Sequence, residues 1–164
     1  VSSTGRYVAF NSTGTNLVPN DTNGVLDVFL RDTAAGTTQL VSVATDGTLA
    51  NGRSSVDSHG MSEDGRYVVF SSAATNLSPA ATSGDPQVYL RDTVAGTTTL
   101  VSVSTGGATG NKGSISPAIS GDGKVVAWLS QATNLATVNF TMANYVFVRD
   151  LLTGTTTKIG RAHV

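Results

Sequence analysis

"SEDGRYVVFSSAATNL", residues 62–77, is the second of three near-copies of one phrase. It follows "STGRYVAFNSTGTNL" at 3–17 and precedes "SGDGKVVAWLSQATNL" at 120–135. Each copy carries a second phrase downstream. Val28-Phe29-Leu30-Arg31-Asp32 recurs as Val88-Tyr89-Leu90-Arg91-Asp92 and as Val146-Phe147-Val148-Arg149-Asp150. A Gly-Thr-Thr follows each, at 36–38, 96–98 and 154–156. The offsets are 60 and 58 residues, and the two-residue deletion falls between Asn111 and Ser120.

Each unit reads as four short strands, expected in the second unit at about 56–61, 66–72, 87–92 and 97–103. Asp64-Gly65 is a tight-turn signal between the first two. Asp92 to Gly96 closes the last hairpin, since Asp bonds amides ahead of it and Gly tolerates positive φ. Tyr67-Val68-Val69-Phe70 is apolar without alternation, so both faces of its strand are expected to be covered. No stretch shows a helical apolar period. The chain is predicted to be all-β. A four-stranded antiparallel sheet repeated every ~60 residues, apolar on both faces, is the pattern of propeller blades packed face to face.

Composition agrees. Charged residues make up 13% of the 164, against roughly 25% in an average soluble domain. Thr, Ser, Gly, Asn and Val take their place and favour strands joined by polar turns. The net charge of −1, without a basic stripe, argues against nucleic acid as partner. No apolar run reaches the ~18 residues of a membrane span. With no Cys in the chain, disulfides, thiol nucleophiles and cysteine-ligated zinc are all excluded.

The motifs S-x-D-G-[RK]-x-V-[AV]-[FW], A-T-N-L and V-[FY]-[LV]-R-D resemble the TolB-like, WD-repeat-like β-propellers of bacteria. The resemblance covers almost the whole chain and implies a propeller fragment of three blades, at about 1–50, 51–110 and 111–158. The first and last are expected to be incomplete. The first lacks most of its innermost strand, and in the third the apolar pattern fails after Thr157. Ile159–Val164 (IGRAHV) is also one reading frame of a common sequencing adapter, so 159–164 are expected to be a non-native tail, and Arg161 and His163 are given no functional weight. Propellers close with ~4–8 blades, so further blades of the same parent chain are expected partners, and the isolated chain is expected to be poorly soluble or to self-associate.

Candidate chemistry is sparse, and no residue is assigned a catalytic, cofactor-binding or metal-binding role. His59 is the only internal histidine and is expected on an innermost strand near the central channel. With no second internal histidine and no Cys, neither a Ser-His-Asp triad nor a histidine-rich zinc site can be assembled. Asp21-Thr22-Asn23-Gly24-Val25-Leu26-Asp27 looks faintly like a calcium loop, but Gly24 is fourth where an EF-hand needs the sixth. The matching stretches, 81–87 and 139–145, keep only Asp85 as an acid. Turn formation is the favoured reading there. In the Arg-Asp pairs, Asp is expected to shape the hairpin and Arg to lie outward. The Asn of T-N-L (Asn16, Asn76, Asn134) is expected to shape its loop, with Leu filling the space between blades. Gly106 to Gly110 precedes no predicted helix, which leaves a phosphate cradle without its helix. Sequons occur at Asn11, Asn20 and Asn139.

The short turns at 62–66 and 92–97 should share one face of the disc, and the long connections at about 71–86 and 104–115 the other. Binding residues concentrate on long loops held by a rigid scaffold. The leading expectation is a non-catalytic module that meets a protein or glycan through the long-loop face, without cofactor, nucleic acid or membrane insertion. The resemblance implies a secreted, periplasmic or surface location. The alternative is the propeller domain of a larger hydrolase, such as a prolyl-oligopeptidase-like peptidase, with its G-x-S-x-G elbow outside this chain. A calcium-stabilised array is the third.

Overall fold

The computed structural model describes residues 1–80, 84–137 and 144–161. The first copy supplies β1 (Tyr7–Ser12), β2 (Asp27–Asp32) and β3 (Thr37–Leu40). The second supplies β4 (Ser54–Ser55), β5 (Tyr67–Ser72), β6 (Gln87–Asp92) and β7 (Thr97–Leu100). The third supplies β8 (Ser114–Ile119), β9 (Val125–Ser130), β10 (Tyr145–Asp150) and β11 (Thr156–Arg161). Each copy forms its own antiparallel sheet, of three, four and four strands in sequence order. No helix occurs among the described residues.

The sheets stack through two apolar layers. Val68 and Phe70 of β5 face Val28 and Leu30 of the first sheet. Val69, Val88 and Leu90 face Val126 and Trp128 of the third. Strand residues alternate sides, so the Tyr67–Phe70 part of β5 must be apolar at every position to serve both neighbours. This is why its pattern does not alternate. The same positions at the ends of the stack are less covered. Val8 and Phe10 of β1, and Val146 and Val148 of β10, are only half-buried, whereas their counterparts in the middle sheet are buried. Within each sheet one aromatic pair stacks: Phe10 on Phe29, Phe70 on Tyr89 and Trp128 on Phe147, with centroids 5.6, 5.7 and 5.9 Å apart.

The repeated Gly and Tyr of the opening phrase meet across the joint between sheets. Gly65 has φ +70°, and a Cβ there would lie 2.5 Å from Cγ of the Tyr7 ring. Gly123 has φ +73°, and its Cβ would overlap Cδ2 of Tyr67. Each turn glycine therefore satisfies two demands, a left-handed backbone and a surface flat enough for the preceding copy's ring. Val125 stands where a third Tyr would be, and no further turn covers it. Backbone bonds run beside these contacts, from Glu63 N to Gly121 O (3.0 Å) and from Ile119 N to His59 O (2.9 Å).

Three strand expectations are corrected. The innermost strand of the second sheet is not continuous over 56–61: it pairs at Ser54 and Ser55, leaves the sheet, and pairs again only at Met61 with Val68. Ser55 and Met61 are six residues apart where Ile115 and Ile119 are four, which places the two-residue deletion inside this strand. The outermost strand ends at Leu100 rather than 103, because Ser102 Oγ accepts from Val88 N (3.0 Å) and turns the chain into a small hairpin in which Val103 pairs with Thr109. The third sheet has its fourth strand, and backbone pairing continues to Arg161. The failing apolar pattern appears instead as a bulge. Ile159 is skipped between the pairs Val146–Gly160 and Phe147–Lys158 and is 64% exposed, where Val101 is 1% exposed.

Candidate functional site

His59 sits on the part of the inner strand that leaves the sheet, exposed and with φ +65°. The chain there turns through a bond from Gly60 N to Asp57 O (3.2 Å). His59, Asp57, Ser58 and Glu63 border a cleft of about 290 Å³. Glu63 is already engaged, accepting from Ser3 N at 3.0 Å and Ser3 Oγ at 2.6 Å, and these bonds hold its carboxyl below its ordinary pKa. Among the described residues no three His, Cys, Asp or Glu side chains come together as a metal-binding group.

The Arg-Asp pairs divide their work differently from the sequence expectation. The Asp shapes the hairpin as expected. Asp92 Oδ1 accepts from Val94 N and Ala95 N at 3.0 and 2.9 Å, and Asp32 and Asp150 repeat this. The Arg, however, does not lie outward. Arg91 is half-buried, donates to Thr98 Oγ1 at 3.0 Å and reaches Ala44 O of the preceding connection at 3.5 Å. Arg149 does the same with Thr156 Oγ1 and Ser104 O. In both, the guanidinium head bonds to the connection that follows the preceding sheet.

A different arginine, from the Gly-Arg-Tyr of the phrase, pairs with the hairpin Asp. Arg66 meets Asp92 at 2.8 Å and Arg6 meets Asp32 at 2.9 Å, each through two nitrogens. Lys124 in the third copy bonds Asp122 instead, at 3.2 Å. The Arg6 hydrogen bond, with the Ala35 amide, holds the Asp32 carboxyl at about 2. The Arg66 hydrogen bond lowers Asp92, and the Thr153 amide lowers Asp150. Carboxylates depressed in the folded state contribute stability that is present above their unfolded pKa and lost as pH falls through the folded value. The melting midpoint is therefore expected to hold above about pH 5 and fall between roughly pH 4 and 2. Thermal melts across that range check this, and a midpoint unchanged down to about pH 2.5 would contradict it.

The T-N-L segment behaves as expected in the second and third copies, whereas Asn16 and Leu17 of the first are exposed. Asn76 Oδ1 accepts from Asn51 N (3.0 Å), Asn76 Nδ2 donates to Leu49 O (2.8 Å), and Thr75 N donates to Asn51 Oδ1 (2.8 Å). Asn134 repeats the first two bonds with Asn111 and Thr109. These bonds tie the connection between sheets to the long loop within a sheet, so both lie at one end of the blades. Leu77 and Leu135 are buried between sheets, while Leu17 in the first copy is exposed. The sequon residue Asn11 is also structural: its side-chain amide exchanges two hydrogen bonds with Val56, at 3.1 and 2.8 Å. Asn139 and His163 lie outside the described residues, as do parts of the stretches matching Asp21–Asp27. In that first-copy stretch Asn23 Oδ1 accepts from Val25 N, the expected turn, while Asp21 and Asp27 are buried.

The joint between the first two sheets opens at its rim into a groove of about 450 Å³. One wall is the turn Ala44–Asp46 and the other is the long loop at 75–79. Thr45, Asp46, Asn76, Ser78 and Thr98 line it above Leu77. The sequence points to the long loop but not to this groove, because the other wall comes from the preceding copy.

No protein-family model and no curated protein matches the sequence. Solved structures do. TolB from Acinetobacter baumannii is 17% identical with a TM-score of 0.55, over 99% of this chain and 32% of that one. A TolB-like protein from Agrobacterium tumefaciens is 17% identical with a TM-score of 0.56, over 98% of this chain and 48% of that one. The chain thus spans less than half the length of either structure. Its fold is that of a TolB-type β-propeller.

Proposed function

We propose that this stretch of TolB-type propeller is a non-catalytic binding module, engaging a protein or glycan through the long-loop end of its blades. The observation that supports this most is the rim groove. Its volume of about 450 Å³ lies within the ~300–1,000 Å³ usual for ligand sites. Its walls offer hydroxyl, amide and carboxylate groups over an apolar floor, a lining suited to neutral polar ligands such as an oligosaccharide or an extended peptide. Asn76 and Asn51 brace the loop wall against the connection. Further blades of a longer parent chain are proposed to cover the half-exposed apolar faces of the first and third sheets, in a secreted, periplasmic or surface-attached protein.

Amide chemical shifts of the labelled chain, titrated with a panel of neutral oligosaccharides and with short uncharged peptides, test the binding role. Changes are expected at 44–46 and 75–79. Changes confined to the short turns at 63–65 and 93–95, or none with any probe, would refute it.

A further inference from the structure

The start of β6 and the start of β2 solve one structural problem in two ways. In the second copy Ser102 Oγ donates to Gln87 Oε1 (2.7 Å) and accepts from Val88 N (3.0 Å). The other end of the Gln87 amide, Nε2, donates to the carbonyls of Gly110 (3.4 Å) and Lys112 (3.2 Å). In the first copy Ser42 Oγ donates to Asp27 Oδ1 (2.5 Å) and accepts from Val28 N (3.1 Å), so the frame is the same. The atom standing in for the amide nitrogen is now Asp27 Oδ2, a carboxylate oxygen. The matching carbonyls belong to Ala50 and Gly52, sixty residues before their counterparts. A donor has been replaced by an acceptor, and the matching carbonyls take their hydrogen bonds from other side chains, Ala50 O from Asn23 Nδ2 (3.1 Å) and Gly52 O from Ser54 Oγ (3.5 Å).

Asp27 is 0% exposed and its Oδ2 meets no hydrogen-bond donor of the chain. Asp21 is 5% exposed and its Oδ1 likewise meets none. Asn23, between them in sequence, reaches the same region, donating to Ala50 O at 3.1 Å. Burying a carboxylate oxygen without a donor or counter-ion is strongly unfavourable. Two such oxygens, on a stretch that Asn23 ties to the counterpart of a carbonyl that a side-chain amide bridges in the next copy, call for a positive centre. We propose that Asp21 and Asp27 bind one calcium ion, with the Ala50 and Gly52 carbonyls as further oxygen ligands, at the position that the Gln87 amide nitrogen takes in the second blade.

The chemistry fits calcium best. All the groups are oxygens, two of them anionic, and backbone carbonyls are ordinary calcium ligands. Magnesium demands a stricter octahedron and keeps its waters, and zinc favours nitrogen and sulfur. The spacing is not that of an EF-hand, and so the sequence favours a plain turn. The site is assembled by the sheet and the connection after it.

Equilibrium dialysis of the whole chain against calcium up to ~10 mM, a range that covers extracellular calcium modules, tests the proposal. One calcium per chain is expected, with a melting midpoint higher by several degrees than in chelator. Asp27→Gln imports the second blade's solution. It is expected to fold, to melt at the same midpoint with calcium or chelator, and to bind none. Asp21→Asn should weaken binding at least tenfold. Absence of bound calcium in the unsubstituted chain, equal binding by Asp27→Gln, or an equal midpoint rise with magnesium would each overturn it.

Discussion

Replacing Gly123 by alanine is expected to destabilise the chain by about 3 kcal/mol, the sum of left-handed backbone strain and overpacking. The first part follows from φ +73° at this turn, and the second from the Tyr67 ring, whose Cδ2 the new Cβ would overlap. Gly107 separates the two. It has φ +85° with nothing within 4 Å of where a Cβ would stand, so Gly107→Ala should cost only the strain, about 1–2 kcal/mol. Removing the ring should relieve the second part. In the double variant Tyr67→Ala/Gly123→Ala the two changes are expected to cost less than their sum by about 1–2 kcal/mol, as touching residues do. Urea denaturation of the unsubstituted chain, both single variants and the double variant gives the coupling directly. Equal losses for Gly123→Ala and Gly107→Ala would mean that no ring rests on the turn.

The other large effect is expected at Trp128. It is 1% exposed, stacks on Phe147 at 5.9 Å and fills the layer between the second and third sheets with Val69, Val88 and Leu90. Truncation to alanine should cost about 3–5 kcal/mol, the range for large aromatic residues in a packed layer. Phe10 occupies the same position in the first copy but is half-buried, on a face that no other sheet covers. Phe10→Ala should therefore cost less than about 2 kcal/mol, in proportion to the apolar area it hides. The contrast matters more than either value, because repeat proteins draw stability from neighbour contacts. Comparable losses at both positions, read from the same denaturation curves, would show that the third sheet does not depend on the second as described.

The phrase at 62–77 announces the fold because each of its features is local. Asp64-Gly65 specifies a turn, Tyr67–Phe70 a strand covered on both sides, and Asn76 a loop that closes on its own connection. What the phrase withholds is which copy meets which. The contacts of Tyr67 with Gly123 and of Arg91 with Ala44 lie about a full repeat apart, and identical copies give no sign of direction. Arg91 reads as outward in the sequence for that reason. The inner strand misleads differently: Ser54 to Met61 has the residues of a strand, but its two extra residues can be accommodated only by leaving the sheet. At Asp27 the informative feature is a mismatch, Asp where the next copy has Gln. Its meaning depends on carbonyls some twenty residues away that only the folded chain brings near. The rim groove is beyond reach for the same reason, since its walls come from different copies.

Stacking of consecutive copies is seen most directly in proton–proton contacts at the turns. Nuclear Overhauser spectra of the labelled chain should connect the Tyr67 ring to the Gly123 α-protons, and the Tyr7 ring to those of Gly65. If those cross-peaks were missing, and α-proton contacts instead joined Thr37–Leu40 to a strand of the second copy, the copies would form one continuous sheet and the face-to-face arrangement would be wrong.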